Sequence, residues 1–150
     1  MIPSDTFWND SELLVTGRIG NYTVKDYKRL FYDIDYPVGY MMRQDTEGLI
    51  KDMAPPGVDV YCIHGSNVST QAVLHYSGEK WHDTQPDVTF GPGDGTVNLR
   101  SLKGCLKWVG KQGKYKVNYK VFSGSESGHR KILKSDKFIS YLVSILSPGQ

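Results

Sequence analysis

Two loops in this 150-residue chain carry side chains suited to proton transfer. In the first, Phe90-Gly91-Pro92-Gly93-Asp94-Gly95-Thr96-Val97, glycines on both sides of Asp94 let the backbone turn sharply and leave the carboxylate unobstructed. The second, Ser123-Gly124-Ser125-Glu126-Ser127-Gly128-His129, presents one imidazole from a polar stretch. An imidazole can take the proton of an attacking hydroxyl, and a carboxylate behind it fixes the tautomer and stabilises the imidazolium. Asp94 is therefore the candidate acid, and His129 the candidate base, of a relay for acyl transfer. Each loop also has a plainer reading: Asp94 as the cap of the next helix, His129 as part of a solvated turn.

These side chains need elements to deliver them. Thr23 and Asp26 resemble a capping box, and Val24, Tyr27, Leu30, Phe31 and Ile34 then share one helical face, which should end before Pro37. A second, shorter helix is predicted over Asp45–Met53, with Leu49, Ile50 and Met53 inward, ended by Pro55-Pro56. Alternation predicts a strand over Val58–Cys62, two short strands at Ala72–Tyr76 and Val88–Phe90 with a turn near Ser77-Gly78, and a further strand over Tyr115–Val121. Leu99, Leu102, Leu106 and Val109 mark a helix, and Phe138 to Leu146 give a wide apolar helical face. Strands separated by helices predict an α/β fold with a parallel sheet and crossover helices.

The acid precedes the histidine by 35 residues, room for one helix and one strand, and each sits in a loop after a strand. That is the chain order of α/β-hydrolases, in which the nucleophile comes first. No Gly-x-Ser-x-Gly elbow occurs here; Gly124-Ser125-Glu126-Ser127-Gly128 has Glu126 at its centre. The expectation is the C-terminal part of an α/β-hydrolase fold, incomplete in this chain, with the serine upstream and the 150 residues inert alone. Residues 1–20 read as an extended lead-in segment and 21–150 as part of the catalytic domain.

Eighteen basic residues against sixteen acidic ones leave a formal charge of +2, and no Lys/Arg stripe tracks a phosphate backbone, so nucleic acid is an unsuitable partner. Protonation of the four histidines would raise the charge and favour an anionic membrane surface in an acidic compartment. No apolar run approaches the ~20 residues of a membrane span, and the N-terminus lacks the pattern of a secretory signal. Yet sequons at Asn9, Asn21 and Asn67, with an even cysteine count, lean towards a lumenal or secreted protein that has lost its signal. Cys62 and Cys105 leave two readings open. They can bridge, or they can serve a zinc site, for which His64, two residues from Cys62, is a poor match. His64, His75 and His82 are assigned to surface or packing roles, and Trp81 and Tyr76 could touch lipid or pack a loop.

The stretches NYTVKDYKRLFYDI (21–34), MRQDTEGL (42–49), PPGVDVYC (55–62) and FGPGDGTVNLRS (90–101), then Cys105 with Trp108 and the GSESGH run, carry a likeness. The chain resembles the C-terminal region of the lecithin:cholesterol acyltransferase family over nearly its whole length from Asn21. The resemblance implies an α/β-hydrolase fold and phospholipase and O-acyltransferase activity in an acidic lumen, with no cofactor or metal. Its partners would be a phospholipid membrane surface and a lipid acyl acceptor. It places the triad acid on Asp94 and the base on His129, pairs Cys62 with Cys105, and implies a glycan at Asn21. Two departures stand out: Pro92 occupies a usually acidic position, and Ser127-Gly128 intervene before the histidine. Residues His64 to His82 also diverge. A sterol- or neutral-lipid-acylating member, or a serine-less lumenal scaffold that binds lipid or a partner, are the rival readings. An upstream Gly-x-Ser-x-Gly would favour the enzyme.

Overall fold

A computed structural model describes residues 2–78 and 84–147. They form a mixed α/β structure of two compact units, Met1–Ala54 with Gln71–Phe90, and Pro55–Thr70 with Gly91–Gln150. His82 and Trp81 lie outside the described residues.

β1 (Val15–Gly17) pairs antiparallel with β2 (Asn21–Tyr22) and parallel with β4 (Val68–Tyr76), in a sheet of order β2-β1-β4-β5 with β5 spanning Asp87–Gly93; the first unit takes β4 from residue 71 and β5 up to residue 90, and Val68, Thr70 and Gly93 belong to the second. Helix α1 (Tyr27–Asp33) begins only after Asp26, which makes no side-chain cap bond, and of the expected capping box only the reach-back forms: the Thr23 N–H donates to Asp26 Oδ2 at 2.9 Å. That bond, ahead of the opposing effect of burial, holds the Asp26 carboxyl below its ordinary range. Trp8, Leu14, Val24, Tyr27 and Phe31 make the core, so the predicted helical face is buried, joined by two residues from a segment with no visible period.

Pro37 does not merely end the first helix. It opens α2 (Pro37–Thr46) at a first-turn position, where its missing N–H and fixed φ are tolerated. The helix expected over Asp45–Met53 does not form: α2 stops at Thr46, and Leu49 is 78% exposed. Ile50 is exposed as well, so two of the three residues expected inward gain no burial from a helix here.

The second unit is built on β3 (Val60–Ser66) and β6 (Val117–Ser123), paired parallel in register from Val60↔Val117 to Ser66↔Ser123. The predicted helix over 99–109 divides into α3 (Leu99–Leu102) and a 3-10 turn, Gly104–Trp108, in which Gly104 and Cys105 are buried. Cys105 is bonded to Cys62 of β3, with Cα atoms 6.4 Å apart. A second 3-10 turn, Lys131–Lys134, leads into α4 (Asp136–Leu146), where Phe138 and Tyr141 meet the Phe122 ring edge-on. Parallel pairing of β3 and β6 brings their C-terminal ends, Ser66 and Ser123, side by side, and the loops that follow start from one rim.

Candidate active site

Asp94 directly follows β5, and its backbone bridges to Val68 in a parallel sense. Its side chain is only 5% exposed. Oδ1 accepts the N–H groups of Thr96 (3.0 Å) and Val97 (2.8 Å), closing a tight turn. Gly95 stands at φ +93°, a region that side chains rarely adopt, which is why glycine follows the aspartate. The cap of α3 is Asn98, so Asp94 closes the turn before the helix rather than capping it.

Oδ2 is left for His129, whose Nδ1 lies 2.8 Å away. The His129 backbone N–H also donates to the Asp94 carbonyl at 2.8 Å, so the imidazole is held to the aspartate twice. Burial alone would push the Asp94 carboxyl up. The Val97 N–H, the His129 ring, the Thr96 N–H and the imidazole's charge together outweigh it and hold the group below its ordinary range. An ionised carboxylate only accepts, so Nδ1 must carry the proton, and in the neutral form of the ring Nε2 is then the nitrogen with the lone pair. The imidazole is 43% exposed, and among the described residues Nε2 has no hydrogen-bond partner. It borders a cleft of about 610 Å³ formed with Val68, the turn from Asp94 to Thr96, Gly124 and the residues following His129.

Several supporting residues carried no sequence signal. Thr70, 1% exposed, accepts the Gly95 N–H through Oγ1 at 2.9 Å and donates to the Val68 carbonyl at 3.0 Å, fastening the acid's turn to β4. Ser127 anchors the histidine loop, its hydroxyl shared between the carbonyls of Ser66 and Gly124, each at 2.8 Å. A Cβ at Gly65 would overlap the Ser127 carbonyl oxygen, so the loop can lie on the end of β3 only if residue 65 is glycine. The Ser127-Gly128 pair that sets this loop apart is therefore the part that ties it down. His64 is buried, donating from Nδ1 to the Gly65 carbonyl (2.7 Å) with Nε2 2.8 Å from the Tyr119 hydroxyl; His75 sits 2.8 Å from both Thr16 and Thr89. Cys62 and Cys105 are joined to each other, and Asn9, Asn21 and Asn67 are exposed. Among the described residues no group of three or more His, Cys, Asp or Glu could hold a metal.

The family model for lecithin:cholesterol acyltransferase matches residues 1–139. The chain belongs to that family. It is 38% identical over 146 residues to the dog lysosomal phospholipase A and acyltransferase, covering 97% of this chain and 35% of the relative. The human protein of that name is 37% identical over the same share of this chain and 34% of its own length. The chicken phosphatidylcholine-sterol acyltransferase is 34% identical over 124 residues, 83% of this chain and 30% of the relative. The chain thus spans about a third of the length of these relatives.

Proposed function

We propose that Asp94 and His129 are the acid and base of a Ser-His-Asp relay in a phospholipase A and lipid O-acyltransferase of α/β-hydrolase fold. Polypeptide outside these 150 residues would supply the serine and the oxyanion donors. One observation carries the reading: a buried, ionised carboxylate 2.8 Å from Nδ1 of an imidazole whose Nε2 is open to a cleft. In this scheme Nε2 takes the serine proton as the oxygen attacks the acyl carbonyl of a glycerophospholipid. The imidazolium returns the proton to the departing lysolipid oxygen, leaving an acyl-enzyme. His129 then deprotonates water or a lipid alcohol, which takes the acyl group and frees the serine.

The greater identity and coverage of the lysosomal relatives favour a phospholipase with a lipid-alcohol acceptor over a sterol-acylating enzyme. A lumenal or secreted location fits the same relatives, and a depressed Asp94 pKa keeps that carboxylate charged in acid. Among the described residues no helix is long and apolar enough to cross a membrane, which suits an enzyme that meets phospholipid at a surface. The exposed Asn21, Asn67 and Asn9 are the candidate glycan sites.

The test is His129→Ala in a longer polypeptide that includes the upstream serine, assayed on phospholipid vesicles at acidic pH. Turnover is expected to fall on the order of 10⁴-fold with the fold intact. Retention of more than a few per cent would place the base elsewhere.

A further inference from the structure

We infer that the cleft beside His129 holds a subsite for an anionic phosphate ester, formed by Arg130 and Lys131. The inference rests on the acyl-ester reading above and gives that site a head-group preference. Both cations follow the imidazole directly in sequence and line the same cleft. The acidic side chain among its lining residues is Asp94, and both of its oxygens are already engaged, by two backbone N–H groups and by His129. Among the described residues neither Arg130 nor Lys131 makes an ion pair, so two exposed cationic residues line the cleft without a carboxylate partner. The Lys131 stem runs close to Gly128, near enough that a Cβ there would touch its Cδ at 3.8 Å; this sets the origin of the side chain beside the relay.

The chemistry of the ligand follows. An ester carbonyl placed for attack by the serine that Nε2 of His129 deprotonates lies, in a glycerophospholipid, only a few covalent bonds from the phosphodiester. A guanidinium matches two phosphate oxygens at once, and an ammonium adds a point charge. An uncharged diacylglycerol gives these two groups nothing to bind. A zwitterionic head group partly cancels its own phosphate, so a net-anionic phospholipid is the preferred occupant. Because both cations are exposed, the preference is screened by salt over a Debye length of roughly 8 Å at 0.15 M.

The 150-residue chain suffices for the test, with the His129 ring signals followed by NMR. The probes are sub-micellar dihexanoyl phosphatidylglycerol, dihexanoyl phosphatidylcholine, dihexanoylglycerol and inorganic phosphate, each at low and high salt. Phosphatidylglycerol is expected to bind about ten-fold more tightly than dihexanoylglycerol, about 1.4 kcal/mol, and to move the His129 signals. That advantage is expected to shrink in salt and to vanish in Arg130→Gln/Lys131→Gln, with circular dichroism unchanged. Inorganic phosphate binding as tightly as the lipid would support the anion site and assign its source to free phosphate. Equal binding of all four probes, a preference that survives the double substitution, or unmoved His129 signals would overturn the proposal. No turnover is read, so that failure leaves the acyl-ester reading standing. An active His129→Ala enzyme would remove that reading while leaving the anion site intact.

Discussion

Asp94 divides its two oxygens between two tasks that sequence reading set against each other. Oδ1 closes the turn ahead of α3, whose cap is Asn98, and Oδ2 meets the imidazole, so the helix-cap reading gives way to a turn residue that also faces His129. Its depressed pKa has a consequence for stability. Because the folded carboxyl titrates below the ordinary ~3.9, the unfolded chain binds more protons in that interval. The contribution is complete above about pH 4 and is lost as pH falls through the folded value. Asp94→Asn is therefore expected to lower stability at neutral pH, and the gap from the parent to narrow below pH 4; a gap independent of pH in denaturation curves would refute this. Glycines around a carboxylate and an isolated histidine made Asp94 and His129 candidates in one dimension, but each loop also had a plainer reading, and their order along the chain and the family likeness singled out the pair. Thr70 and Ser127 were not legible, since buried hydroxyls that satisfy distant backbone groups look in sequence like any polar residue.

Periodicity located α1, β3, β6 and α4, but of the predicted apolar faces that of α1 is the one that supplies a buried core: α4 and β6 have no fully buried residue. It failed over α2, whose one buried residue is Gly39 while Val38, Met41 and Met42 are exposed, so no apolar stripe marked it. Strands β1 and β2, of three and two residues, are too short to show an alternation. Each of the loops carrying Asp94 and His129 is tied down in part by one buried hydroxyl, and these ties can be cut. Thr70→Val strands the Gly95 N–H, and Ser127→Ala removes the donor to Ser66 and Gly124. Each is expected to cost about 1–3 kcal/mol in urea denaturation, with Thr70→Ser near the parent. A loss below a few tenths would mean that water replaces these bonds without cost.

For the molecule as a whole, one covalent bond carries an outsized share of the stability. A two-stranded sheet is marginal support for a domain, and residues such as Val143 and Leu146 of α4 remain exposed. Closing about 44 residues between Cys62 and Cys105 lowers the entropy of the unfolded chain by on the order of 4 kcal/mol, against about 5–15 kcal/mol for a typical domain. The double variant Cys62→Ser/Cys105→Ser is expected to lose most of that amount, and an unchanged denaturation midpoint would show that the bridge is idle. The bridge was favoured in the sequence because His64 is poorly spaced for a zinc site with Cys62, and the family likeness implied the same pairing.

Whether Asp94 fixes His129 as a base is decided most directly by the ¹⁵N chemical shifts of the His129 ring at neutral pH. The expected result is a neutral imidazole protonated at Nδ1 with a bare Nε2, changing to the opposite tautomer in Asp94→Asn. A parent ring protonated at Nε2, or one whose tautomer ignores the Asp94 substitution, would contradict the relay.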